Sequence, residues 1–366
     1  MKKSMKTRFL TSAVLSFIIL AVPAQALPVF AARITPPPAC MLPSILPLSS
    51  VRDRDLRKLA SFQTSYGYVG KRLAFFTAMP TDLSVDLDEA DGVAAKLKAF
   101  AAAGVSPVVF VEPPVDLNLS DIADDVSRVY WREYFERIRS AGVTAEQMGL
   151  WIPYPEINTP IWNREWFEPS SFPKLVNEFA VAYKGVFPGA QAGLLFNSFS
   201  YDAADVDWEH GKAESYLPYV KGITKGNIDV LGIQAFPWFP RRNEEPSKKA
   251  LDSVSKFLFM QHAVEAANAV GTKGIMIHSG VPHSMHEGAA TKVIIPDTTR
   301  ARIMRQIATL VATYKKLGYD MSLSLFLEDK SDVDEGTDWS FGSSAAYILK
   351  QTSKTMSCNG IPMILY

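Results

Sequence analysis

MGLWIPYPEINTPIW, residues 148–162, decides how this chain is read. It opens apolar, as a buried strand does. It ends in a carboxylate, an amide and a bulky indole: Glu156, Asn158 and Trp162. Pro153, Pro155 and Pro160 stop it continuing as a helix or a central strand, because each lacks a backbone donor and fixes its own φ. The strand is therefore expected to end near Pro153 and to leave Glu156 on a stiff loop just past its C-terminal end. In a barrel enzyme, acid–base carboxylates stand at that place. Taken alone, the stretch fits an ordinary surface glutamate equally well.

Working outward, strands and helices alternate. Upstream, 71–78 and 107–111 read as strands, the second ended by Glu112-Pro113-Pro114. Residues 51–63, 91–103 and 123–140 read as helices, the last two stopped by Gly104 and Gly142. Downstream, strands at 192–198, 228–235, 274–279 and 321–327 alternate with helices at 171–186, 215–221, 248–270, 298–317 and 343–354. A short strand at 41–48 is placed first. About eight strand–helix repeats in one chain argue for an α/β fold, a single (β/α)8 TIM barrel closed on itself, over an open sheet. No linker divides residues 40–366, so they are read as one domain.

The N-terminus stands apart from that domain. Lys2, Lys3, Lys6 and Arg8 precede an apolar run at 9–22, and Ala24-Gln25-Ala26 offers a small-x-small cleavage site. Residues 1–26 thus read as a secretory signal peptide, its apolar run too short for a comfortable membrane span. Residues 27–39 read as a proline-rich linker around Pro36-Pro37-Pro38. The expected mature protein is secreted, periplasmic or extracellular, free of the membrane, and a monomer. Lys+Arg and Asp+Glu number 38 each, so there is no electrostatic footprint for nucleic acid. The two cysteines, Cys40 and Cys358, lie near the ends of the mature chain. A closed barrel makes its first and last units neighbours, and export permits a disulfide. Two unpaired thiols remain an equal reading.

The residues at the strand ends carry the chemistry. They are Phe76-Thr77, Glu112, Glu156 with Asn158, Asn197 with Tyr201, Gln234 with Phe236 and Trp238, His278 with Ser279, and Glu328 with Asp329. Carboxylates suit protonation, amides suit hydroxyls, and aromatic faces suit pyranose rings. There is no glycine-rich phosphate loop and no G-x-S-x-G nucleophile elbow. The candidate catalytic residues are Glu156 and Glu328. The candidate substrate-binding residues are Glu112, Asn158, Trp162, Asn197, Tyr201, Gln234, Phe236, Trp238, His278 and Asp329. His278, His283 and His286, with Glu287, could ligate zinc, but their spacing matches no zinc signature. Loop histidines plus one packed at a strand end is the preferred reading, and neither metal nor cofactor is expected.

From Val105 onward the chain resembles the family 26 glycoside hydrolases, the group with β-mannanases and related endoglycanases. The resemblance rests on SPVVFVEPP (106–114), WREYFERIRSAG (131–142), WIPYPEIN (151–158), LLFNSFSYD (194–202), NIDVLGIQAF (227–236), GIMIHSG (274–280) and LFLEDKSDVDEGTDWS (325–340). It implies a retaining (β/α)8 glycosidase acting on a polysaccharide of the β-mannan or β-glucan type. The implied acid/base glutamate follows the fourth strand and falls on Glu156, with Asn158 just after it; the implied nucleophilic glutamate follows the seventh. Two positions depart from the family. Pro155 stands where the family has a histidine, and the expected seventh strand ends in His278-Ser279-Gly280 with no carboxylate. Retaining chemistry needs two carboxyl groups roughly 5–5.5 Å apart. Three readings stay open. Glu112, Glu328 or Asp329 serves as the base of an inverting reaction, Glu328 being favoured because its strand neighbours the seventh. Alternatively the chain is a catalytically inactive glycan-binding barrel, or it catalyses a different reaction.

Overall fold

Eight parallel strands close into a barrel in the computed structural model of the chain. The structure describes residues 53–68, 70–80, 83–112, 126–156, 158, 171–197, 215–235, 259–287, 291–327, 329–330, 337–338 and 346–365. All of them belong to the unit 40–366. The expected signal peptide, linker and strand at 41–48 lie outside the described residues.

The strands are β1 (Arg72–Ala78), β2 (Ser106–Glu112), β3 (Leu150–Pro153), β4 (Gln191–Asn197), β5 (Val230–Gln234), β6 (Gly274–Ser279), β7 (Ser284–Glu287), β8 (Thr291–Ile294), β9 (Asp320–Leu325), β10 (Asp329–Lys330), β11 (Thr337–Asp338) and β12 (Met363–Leu365). The barrel ring runs β1-β12-β9-β6-β5-β4-β3-β2 and back to β1. Helices Leu83–Ala102, Val126–Ser140, Phe172–Val186, Phe259–Val270, Asp297–Lys316 and Ala346–Cys358 alternate with the barrel strands, and Arg54–Tyr66 precedes them. That first helix shows how local sequence sets the bounds. Asp53 caps it by accepting from the amides of Asp55 and Leu56 at 2.9 and 3.1 Å, and Gly67 ends it at φ 62°.

One expectation is corrected. The ring is closed by β12, which pairs with both β1 and β9, a strand the sequence reading did not include. Its three residues are buried, but so short an apolar run at the end of a chain carries no periodicity to read. Counted in chain order, Glu156 therefore follows the third barrel strand rather than the fourth. His278 lies on the sixth rather than the seventh, and the seventh is β9.

Alternation divides the barrel core in two. Ala74, Val108, Phe110, Leu150, Ile152, Leu195, Met276 and Ile364 form the cluster inside the barrel. Their strand neighbours, such as Phe75, Val109, Trp151, Leu194, Ile277 and Leu323, face the helices in the larger outer cluster. Burial on both faces explains why these strands read as continuous apolar runs. Gly232 makes room on the inside: a Cβ there would lie 2.7 Å from the Leu194 carbonyl and 2.9 Å from Leu195 Cδ1. Outside β3, the rings of Trp131, Phe135, Trp151, Phe179 and Tyr183 interlock. Trp131 and Phe179 lie 5.0 Å apart and Phe135 and Trp151 5.2 Å apart, both edge-to-face.

A second, antiparallel sheet, ordered β10-β11-β7-β8, is built from the chain leaving β6 and β9. The stretch between the expected strand 274–279 and the expected helix 298–317 thus carries β7 and β8. Asp329 therefore sits in β10, paired with Asp338, and not on the rim of a barrel strand. Cys358, which ends its helix, is disulfide-bonded; Cys40 lies outside the described residues.

Candidate active site

The C-terminal ends of the strands form the mouth. Across β4, β5, β6 and β9, four polar residues stand in register: Asn197 faces Gln234, Gln234 faces His278, and His278 faces Ser324. Leu195 and Met276, two residues earlier on their strands, are in the inner cluster, so this row looks into the barrel. All four are buried. His278 Nδ1 and Ser324 Oγ share a hydrogen bond of 2.8 Å. The rings of Phe110 and Phe326 stand 5.7 and 6.1 Å from the imidazole. Burial lowers the His278 pKa to about 3, because a charged imidazolium would lose its hydration there. The ring is neutral at neutral pH. Ser279, one residue on, turns to the other face and donates to the Ala235 carbonyl at 2.6 Å. Gln234 makes no side-chain hydrogen bond among the described residues.

The opposite arc is built differently. Phe76 on β1 is 38% exposed and stacks on Phe110 of β2 at 5.1 Å and 26°. Glu112 ends β2 in register with Ala78. It shares the inward face of Val108 and Phe110 and is half-buried.

β3 stops at Pro153, and a tight turn follows. Tyr154 and Glu156 have φ of 52° and 58°, the only positive values at non-glycine positions among the described residues. The amide of Tyr154 donates to the Val111 carbonyl at 3.1 Å, and that of Glu156 to Leu195 at 2.9 Å. Glu156 is half-buried on the rim. Asn158 is buried, and its carboxamide holds the end of β4 at two points. Nδ2 donates to the Asn197 carbonyl at 2.9 Å, and Oδ1 accepts from the Asn197 amide at 2.6 Å. The Tyr216 hydroxyl donates to the same carbonyl at 3.1 Å.

Of the residues singled out in the sequence, the fold brings Glu112, Glu156, Asn158, Asn197, Gln234 and His278 to one mouth. Trp162, Tyr201, Phe236, Trp238 and Glu328 lie outside the described residues. Phe110 and Ser324 were missed. Strand alternation would have found both, since each lies two residues from another inward position. Among the described residues no group of three or more His, Cys, Asp or Glu side chains is placed to hold a metal ion.

No family model matches the chain, and neither does any curated protein. Among solved structures it is similar to a fungal β-1,4-galactanase, at 13% identity and a TM-score of 0.50 over 76% of this chain and 86% of that one. It is also similar to the family 1 β-glucosidase of Thermotoga maritima, at 10% identity and 0.49 over 79% and 84%. The exo-β-1,4-mannosidase of Opitutaceae bacterium strain TAV5 gives 15% identity and 0.48 over 79% and 54%. The galactanase likeness is one of fold, the (β/α)8 barrel described above.

Proposed function

We propose that the chain is an exported, glycoside hydrolase-like barrel that acts on a polysaccharide of the β-mannan or β-glucan type, with Glu156 as general acid. The observation that carries this reading is the placing of Glu156. It stands on a left-handed turn at the C-terminal rim, beside a buried row of neutral hydrogen-bonding groups. A protonated Glu156 would deliver its proton to the leaving glycosidic oxygen. The Gln234 amide suits a sugar hydroxyl, and the exposed Phe76 ring suits a pyranose face. Trp162, Tyr201, Phe236 and Trp238 remain proposed substrate contacts.

The family 26 likeness, taken motif by motif, calls for a carboxylate where His278 stands, although His278 ends the sixth barrel strand in chain order and not the seventh. A neutral imidazole cannot take its part, so the mechanism proposed is inverting. The base is then Glu328, on the chain leaving β9. That strand is four places from β3 around the eight-stranded ring, so the two strands stand opposite each other in the barrel. An inverting pair stands roughly 6.5–9.5 Å apart, with water between. Glu112, on the strand next to β3, is the other candidate. The second reading, a glycan-binding barrel without catalysis, is favoured by the same His278: the inward row carries no negative charge.

Glu156→Gln keeps the shape of the side chain and removes the proton. Hydrolysis of β-mannan, β-glucan and xylan, followed by reducing-end release, should fall by about 10²–10⁴-fold, with retardation in glycan-containing gels unchanged. Equal rates in the variant would remove Glu156 as the acid. Retardation without any release by the unmodified chain would establish the binding reading instead.

A further inference from the structure

We infer that Tyr154 is the positioning residue for Glu156, a peg whose outward burial holds the left-handed turn that carries the carboxylate onto the rim. The inference rests on Glu156 being the functional carboxylate, and it starts from a broken alternation. Leu150 and Ile152 face into the barrel, and alternation would send residue 154 there too. Tyr154 lies instead in the outer cluster, 2% exposed. Its ring meets Phe172 edge-to-face at 6.2 Å, and its hydroxyl accepts from Trp131 Nε1 at 3.4 Å.

A φ of 52° is rare for a bulky residue and persists only when its surroundings over-determine it. Here they do. The Tyr154 amide is held by Val111 on one side, the Glu156 amide by Leu195 on the other, and Pro155 between them is buried with its φ fixed by its ring. Trp151 faces Ala192, yet the Glu156 amide reaches Leu195. The β3 side thus carries one residue more than β4 over this stretch, as at a bulge, a device that re-aims side chains beside active sites. Burial holds the Tyr154 phenol protonated far above its ordinary range, so it is no acid–base group itself. Without the peg, the chain after Pro153 could relax to φ below zero and swing Glu156 off its place.

The test uses the full chain with carbon-13 carboxyl-labelled glutamate, the Glu156 resonance being assigned by its loss in Glu156→Gln. In Tyr154→Met the Glu156 titration midpoint should move by about one pH unit or more, a tenfold change in its protonation equilibrium. Tyr154→Phe, which keeps the ring, should restore it. Where the chain hydrolyses glycan, kcat of Tyr154→Met should drop about tenfold or more with KM unmoved, the pattern expected when only the reacting geometry is lost. A folded Tyr154→Met with an unmoved midpoint overturns the inference. Should that variant fail to fold, Phe172→Leu trims the ring that Tyr154 packs against and leaves the turn untouched. It too must move the midpoint, and no movement again overturns the inference. A moved midpoint in a chain that hydrolyses nothing would sink the hydrolase reading and leave the positioning role standing.

Discussion

The two arcs of the barrel mouth hold opposite kinds of side chain. From β4 round to β9 the inward row is Asn197, Gln234, His278 and Ser324: polar, buried and neutral. From β1 to β3 it is Phe76 and Phe110, with Glu112 and the Glu156 turn above them. The first arc is buried inside the barrel, where a charge would be costly. The second puts its carboxylates at strand ends and on a turn, nearer water, where an ionisable group can change its proton. Under the proposed function, a site divided this way would separate recognition from proton transfer. The neutral row would then order hydroxyl groups without placing a charge beside the carboxylates.

The sharpest way to break this contrast is at the ring that touches both arcs. Phe110 is 1% exposed, stacks on Phe76 and lies against His278. Phe110→Ala should cost about 3–5 kcal/mol in urea unfolding. It should also raise the His278 pKa, read from imidazole proton shifts, because the cavity would admit water. A loss under about 1 kcal/mol would mean that the arcs are not packed against each other there.

Next in size is the acid response of the polar arc. His278 is held near 3 in the fold and has an ordinary value of about 6.5 when unfolded. Between those values the unfolded chain binds a proton that the native chain does not, so stability falls as pH falls. The slope approaches about 1.4 kcal/mol per pH unit once the unfolded imidazole is fully protonated, and the loss from pH 6.5 to 4.5 is about 2.3 kcal/mol. His278→Gln should remove that part of the slope in urea midpoints measured at the two pH values. An unchanged slope would mean that His278 is not desolvated in the fold.

The smallest effect is expected where the arcs meet beside β3. Asn158→Ala leaves the buried amide of Asn197 without its acceptor, a loss of about 1–3 kcal/mol, measurable as a lowered unfolding midpoint. Asn158 was read as a substrate contact, and its carboxamide is engaged with the Asn197 backbone at both ends. No change in stability would return it to the substrate.

Much of this architecture was legible before any coordinates. Pro153 stops β3 where expected, since a residue without a backbone donor cannot extend a ladder at that point. Gly274–Ser279 begins and ends as read, because a short apolar run between polar turns has one place to go. The β7–β8 hairpin was not legible: its stretch, SMHE through TKVI, has neither a strong apolar period nor a diagnostic two-residue turn. β12 was missed because three apolar residues carry no pattern. The row Asn197, Gln234, His278 and Ser324 was named only in part. Ser324 is an unremarkable serine until strand pairing sets it beside His278.

Residue order by itself determined the alternation of strands and helices, the apolar faces, the breaks at proline and glycine, and the carboxylates and amides at strand ends. These are local properties, set by periodicity and backbone sterics within a few residues. Only the tertiary structure decided which strand closes the ring, that His278 is dry and neutral, and that Tyr154 turns out of the barrel while Glu156 stays on the rim. Each of these depends on residues far apart in the chain: Leu365 beside Leu73, Phe110 and Phe326 around His278, Trp131 and Phe172 around Tyr154. Burial and hydrogen-bond satisfaction belong to the packed assembly of such residues, so no single stretch of sequence carries them.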